Sequence, residues 1–127
     1  MQDFITQATK RLPEINFNAS SGILNIKGVF IQGTDPSFLE LYNQLYDWLK
    51  KYVALPVKKT VLNLEFEIIS TSAGKPLLYI LKIMEDMYLA GYDVSINWFY
   101  KRDAEDLYED GEDYKSVLRV PINLVEI

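Results

Sequence analysis

The feature that most constrains this chain is a strand-forming run that ends in three hydroxyl residues and passes directly into an amphipathic helix. The run covers residues 60–69 (TVLNLEFEII), and Ser70, Thr71 and Ser72 follow it. Apolar residues then recur at spacings of three and four up to about Ala90, which predicts a helix. Hydroxyls at such a corner can cap the helix by accepting hydrogen bonds from its free N–H groups. They can also carry a phosphate, because a helix N-terminus favours negative charge.

The residues before this corner predict a hairpin and a helix. Polar and apolar residues alternate in Glu14–Asn18, Ile23–Gly28 is a second strand-like run, and Ala19–Gly22 between them is typical of a turn. Thr34 or Asp35 can cap the helix that follows, and the proline after them suits its first turn. The apolar stripe of this helix consists of Phe38, Leu41, Tyr42, Leu45, Trp48 and Leu49.

The residues after the second helix predict two more strands. Asp93–Tyr100 has strand composition, with Trp98 expected on one face and Phe99 on the other. The acidic segment that follows, from residue 102 to 114, is weakly helical. Leu118–Val125 is the last predicted strand, and Pro121 lacks an N–H donor, so this strand should lie at an edge or contain a bulge.

The predicted order is therefore β-β-α-β-α-β-α-β. A hairpin followed by alternating helices and strands indicates an α/β fold, a single-domain mixed β-sheet of about five strands with packed helices. Residues 1–12 are mixed in character and are followed by Pro13, so we expect a loosely attached N-terminal arm, followed by one domain over residues 13–127.

Composition excludes several classes of function. The 127 residues include no Cys and no His, which removes thiolate nucleophiles, zinc–thiolate sites, and the commonest general base and metal ligand. The net charge of −5 argues against nucleic-acid binding through phosphate neutralisation. No segment has the roughly 20 apolar residues of a membrane helix, and the N-terminus does not resemble a signal peptide. We expect a cytoplasmic protein without a cofactor.

Two candidate sites are weak on their own residues. Gly74-Lys75 lacks the other residues of a phosphate-binding loop, since Pro76 stands where Ser or Thr is required. The acidic residues between Asp103 and Asp113 do not fit the spacing of a Ca²⁺-binding loop. A solvated helix face is the favoured interpretation of that segment, with a docking surface for a basic partner as an alternative. Judged by residues alone, helix capping is favoured over phosphorylation for the three hydroxyls, although the two roles are compatible.

The chain resembles the SiaC family of bacterial regulatory phosphoproteins, which are STAS-like and related in fold to the anti-sigma-factor antagonists. The resemblance extends from Pro13 to about Val125 and rests on four pieces in order. These are PEINFN with the SGIL that follows and Gly28, LYDWL with Tyr52, Phe66 to Lys75 with the apolar helix, and VSINWFY followed by the acidic run and GEDY.

The resemblance implies a non-enzymatic switch protein in a partner-switching pathway. A cognate serine/threonine kinase would phosphorylate the corner, a PP2C-type phosphatase would remove the phosphate, and the unphosphorylated form would bind and activate a partner such as a diguanylate cyclase. The family pattern Asn-Thr-Ser-Ser-x-Lys aligns with residues 70–75, where Ser70 replaces the Asn and Ala73 replaces the second Ser. The alignment places Thr71 at the acceptor position, and Ser70, Thr71, Ser72 and Lys75 in the partner-binding surface. Ser70 and Ser72 are alternative acceptors. The competing interpretation is a small-molecule or protein binding module in which the hydroxyls serve only as a helix cap.

Overall fold

A computed structural model describes residues 1–127 and has the predicted α/β architecture with one additional strand. The chain begins with three strands, after which three helices alternate with three more strands. A short 3₁₀ turn, Thr71–Ala73, precedes the second helix. The elements are β1 (Phe4–Thr6), β2 (Glu14–Asn18), β3 (Ile23–Phe30), α1 (Pro36–Ala54), β4 (Lys59–Ile69), α2 (Gly74–Leu89), β5 (Asp93–Tyr100), α3 (Glu105–Val117) and β6 (Ile122–Glu126). None of the helices has the length and apolar character needed to cross a bilayer.

The sheet has six strands that lie side by side in chain order. β1, β2 and β3 pair antiparallel, whereas β3, β4, β5 and β6 pair parallel. Each helical crossover moves one strand along the sheet in the same direction, so right-handed connections place all three helices on one face. In β4, for example, Leu62 and Leu64 are buried beneath the helices, while Asn63 and Glu65 are half-buried on the opposite side. We call this opposite side the open face.

The N-terminal segment is part of the sheet. Phe4 pairs with Phe17 in the register of β1 and β2, and their rings make an edge contact with centroids 6.1 Å apart. The Trp48 indole N–H of α1 donates to the Gln2 carbonyl over 2.9 Å. The prediction of a loosely attached arm is therefore wrong for Phe4–Thr6, because this strand needs a partner that local sequence does not reveal.

The predicted ends of several elements are confirmed. The Asp35 carboxylate caps α1 by accepting the Ser37 N–H over 2.9 Å, and Pro36 is the first helical residue. Gly91 follows α2 with a φ of 99°, the left-handed conformation expected of a residue that ends a helix. The last strand is shorter than predicted, because it begins only after Pro121, which cannot donate to a ladder.

One row across the open face has asparagine on five successive strands. We call this row the asparagine ladder; it consists of Asn16, Asn25, Asn63, Asn97 and Asn123, which are register partners from β2 to β6. Side-chain amides donate from Asn63 to Asn25 (2.9 Å), from Asn97 to Asn63 (2.9 Å) and from Asn123 to Asn97 (3.1 Å). The ladder therefore ties four parallel strands together through their side chains as well as their backbones.

Candidate functional site

Ser70 connects the end of β4 to the segment that follows β3. Its backbone N–H donates to the Phe30 carbonyl over 3.0 Å, and its hydroxyl accepts the Gln32 N–H over 3.1 Å. The same hydroxyl lies 3.3 Å from the Ser72 hydroxyl. Ser70 is thus a half-buried structural residue whose oxygen is already occupied.

The three hydroxyls do not cap a helix. Ser70 has the extended backbone of an N-cap residue, with φ −67° and ψ 151°, but its side chain faces Gln32 instead of the helix. The Ala73 and Gly74 N–H groups bond to the backbone carbonyls of Ser70 and Thr71, and no side chain caps the 3₁₀ turn or α2. The capping interpretation is therefore wrong, because the loop after β3 competes successfully for the Ser70 oxygen.

Thr71 is the free hydroxyl of the corner. Thr71 and Ser72 are both exposed, and no hydrogen bond involves the Thr71 side chain, whereas Ser72 contacts Ser70. Lys75 is exposed one turn further along, and its ammonium lies 5.9 Å from the centre of the Tyr79 ring. Of the four predicted residues, Ser70 immediately precedes the second helical segment, and Thr71, Ser72 and Lys75 lie in its first turns.

A groove of about 390 Å³ separates the corner from α3, and we call it the acidic groove. One wall contains Ile69, Ser70, Thr71 and Gly74, and the other contains Asp106, Glu109, Asp110 and Tyr114. The residues of α3 recur at spacings of three and four, so one stripe of that helix faces the corner. A neighbouring hollow shares Asp106 and adds the carboxylates of Glu67, Asp103 and Glu105. No Lys or Arg lines either cavity.

The acidic groove carries a negative potential. Burial raises the pKa of Asp110 above its ordinary value, and the nearby charges of Asp113, Asp106 and Glu109 raise it further. Burial, followed by the charges of Asp110 and Asp113, raises the pKa of Tyr114 to about 12. Any further negative charge placed in this groove would be opposed by the carboxylates already there.

Side-chain hydrogen bonds hold α3 beside the corner. The Tyr114 hydroxyl donates to the Gly74 carbonyl over 2.9 Å, within the first turn of α2. The Trp98 indole N–H donates to the Leu107 carbonyl over 3.0 Å, and its ring lies 5.6 Å from that of Tyr114. The position of the acidic wall is thus fixed by contacts to both β5 and α2.

The sequence predicted Thr71 as the phosphate acceptor but did not indicate that the acidic residues of α3 lie beside it. That acidic segment was expected to be a solvated face or a separate docking surface. The signal was the order of elements, since β4 and β5 are adjacent parallel strands and the residues after them meet at the same edge of the sheet.

Comparison with known proteins identifies the family. The family model described as SiaC family regulatory phosphoprotein matches residues 6–127. The chain belongs to the SiaC family. An uncharacterized protein of Pseudomonas aeruginosa strain UCBPP-PA14 is 26% identical over 121 residues, which are 95% of this chain and 94% of that protein.

Solved SiaC structures share the whole fold. SiaC of Pseudomonas aeruginosa superposes with a TM-score of 0.87 at 24% identity, with 100% of both chains covered. The apo form gives 0.86 at 25% identity, covering 98% of this chain and 99% of that one. In the crystal structure of diguanylate cyclase SiaD in complex with its activator SiaC, the match gives 0.88 at 25% identity, with coverages of 98% and 100%. The STAS-like mixed sheet predicted from the sequence is consistent with these matches.

Proposed function

We propose that this member of the SiaC family is a switch controlled by phosphorylation of Thr71. The observation that carries the proposal is that Thr71 has the exposed, unbonded hydroxyl at the corner, whereas the oxygen of Ser70 is bonded to Gln32. Thr71 also occupies the acceptor position of the family pattern. A cognate serine/threonine kinase adds the phosphate, and a PP2C-type phosphatase removes it. The chain itself catalyses no reaction.

The unphosphorylated form binds and activates a diguanylate cyclase, as the SiaC of the solved complex is the activator of SiaD. The partner contacts Ser70, Thr71, Ser72 and Lys75. Support comes from the position of these residues at one corner of the fold, where Thr71, Ser72 and Lys75 are exposed and the Lys75 ammonium and the Tyr79 ring provide a cation and an aromatic surface. Aromatic side chains are enriched at the energetic centres of protein interfaces.

Phosphorylation blocks this binding by local electrostatics. The phosphate brings about −1.5 to −2 charges to Thr71 at neutral pH. A partner that packs on the neutral threonine would have to desolvate this charge, and a penalty of about 4 kcal/mol weakens binding roughly a thousandfold. The carboxylates of the acidic groove add to the negative charge that a partner would meet.

Phosphate mapping by mass spectrometry after treatment with the cognate kinase and ATP tests the assignment. We expect phosphate on Thr71, loss of incorporation in Thr71→Ala, and retention in Thr71→Ser, which keeps the hydroxyl. Ser72→Ala is the matched control, since it removes a neighbouring exposed hydroxyl and should leave incorporation unchanged. Phosphate on Ser70 or Ser72 with Thr71 unmodified would move the site, and no phosphate on any of the three would refute the switch.

A further inference from the structure

The open face has no helix packed on it and presents groups that complement themselves. Each side-chain amide has two N–H donors and an oxygen with two lone pairs. Asn63 and Asn97, in the middle of the asparagine ladder, use one donor and one acceptor position along the row. The remaining half of their capacity is available to groups above the sheet. A surface that donates and accepts in equal measure is matched by a second copy of itself.

We propose that the open face is a homodimer interface, in which two copies pack sheet against sheet. The two-fold axis runs parallel to the strands, between β3 and β4. With this axis, each residue of β3 lies over its own register partner on β4 of the second copy. Asn25 then lies over Asn63, so that the two ladders face each other.

Charge and polarity match at the facing positions of β3 and β4 and at most of those in the outer strands, the exception being the Glu14 carboxylate over the Phe99 ring. Lys27 and Glu65 are register partners whose charged atoms lie 3.5 Å apart within one chain, and they would also lie over each other between the two copies. Ile23, 45% exposed, would cover Val61. In the outer strands Asn16 would lie over Asn97, Asn18 over Ser95, and Glu14 over Phe99. No two carboxylates in these three rows face each other.

The spacing between two packed sheets also fits this arrangement. Packed sheets lie about 10 Å apart, roughly the space that two opposed asparagine side chains and one hydrogen bond of about 2.9 Å occupy. Four strands about 4.8 Å apart and five residues at about 3.3 Å each give a projected footprint of roughly 300 Å². Stable interfaces bury about 800 Å² of accessible surface on each side, so this interface is small and the dimer is reversible.

Sedimentation equilibrium from about 10 to 500 μM tests the dimer. The full unphosphorylated chain should show a monomer–dimer equilibrium. Lys27→Glu should raise the dimer dissociation constant at least tenfold, because it places carboxylates opposite each other at two symmetric positions. Combining it with Glu65→Lys restores opposite charges at both positions and should restore dimerisation. Lys82→Glu makes the same charge change on an exposed residue of α2 and should have no effect.

Two results would overturn the proposal. A chain that stays monomeric at every concentration would show that the open face does not self-associate. A dimer that is unaffected by Lys27→Glu, or that the combined exchange does not restore, would show that the interface lies elsewhere. Circular dichroism of each variant verifies that the fold is retained. The experiment uses no kinase, so its outcome is separate from the assignment of Thr71.

Discussion

Replacement of Gly111 by alanine tests how α3 is held against the sheet. Gly111 is the buried glycine of α3, and its surroundings leave no space for a methyl group. A Cβ at this position would lie 2.7 Å from Cδ1 and Nε1 of Trp98 and 2.9 Å from Cδ2 of Leu124. Leu124 can rotate away, but Trp98 is 1% exposed and its indole is bonded to Leu107. The substitution must therefore move α3 or Trp98.

Two effects of opposite sign decide how much Gly111→Ala changes the free energy of unfolding. Alanine in a helix interior is more favourable than glycine by about 1 kcal/mol. Overpacking in a filled core costs about 1 to 3 kcal/mol, and here the obstructing group is a fixed indole ring. We expect overpacking to win, so that Gly111→Ala lowers the free energy of unfolding by about 1 to 2 kcal/mol.

Gly74→Ala is the matched control for the same chemical change. Gly74 begins α2 with an ordinary helical φ of −62°, and the nearest atom to a new Cβ would be the Tyr114 hydroxyl at 3.6 Å. That distance is normal contact, so the loss of unfolded-state freedom should stabilise this variant by about 0.4 to 1 kcal/mol.

Urea unfolding followed by tryptophan fluorescence measures both variants. The two glycine substitutions should shift the midpoint in opposite directions, and a displaced Trp98 should move the emission maximum of Gly111→Ala to longer wavelength. A Gly111→Ala variant as stable as the parent would refute the packing of α3 against Trp98 described above.

Three further substitutions test the groove, the ladder and the corner. The pKa of Asp110 is raised in the fold, so its negative charge lowers the stability of the folded state at neutral pH. Asp110→Asn should therefore raise the thermal midpoint at pH 7. The two proteins should not differ below about pH 3, where the carboxyl is protonated in both the folded and the unfolded state. Asn63→Ala removes two ladder bonds and should lower the free energy of unfolding by about 1 to 2 kcal/mol in urea titrations, more than Asn123→Ala, which removes one at the edge. Thr71→Ala should change the free energy of unfolding by less than about 0.5 kcal/mol, since the Thr71 side chain caps no helix. A larger loss of stability would indicate a structural role for Thr71.

The sequence predicted correctly those elements whose ends are set by neighbouring residues, such as a capping side chain, a proline or a glycine. Strand β5 has the predicted bounds, Asp93–Tyr100, because alternation and the preceding Gly91 define it. The start of α1 follows from the cap at Asp35 and the proline after it. By contrast, β1 exists because it pairs with β2 and because Trp48, 46 residues away in sequence, donates to the Gln2 carbonyl just before the strand.

The features of the site that sequence could not predict are also non-local. Ser70 has the chemistry of a cap, but the N–H of Gln32, 38 residues away, takes its oxygen. The α3 carboxylates reach Thr71 only through the parallel pairing of β4 and β5. The asparagine ladder likewise depends on register, since neighbouring members are separated by as many as 38 residues.

The affinity of the partner cyclase for the two phosphorylation states of Thr71 tests the switch most directly. Protein with phosphothreonine incorporated at position 71 during synthesis can be compared with unmodified protein by calorimetric titration, which removes any dependence on the kinase. Binding to the unmodified form should be at least tenfold tighter, a difference of about 1.4 kcal/mol or more. Equal affinity for both forms, or tighter binding of the phosphorylated form, would contradict control of this protein by phosphorylation of Thr71.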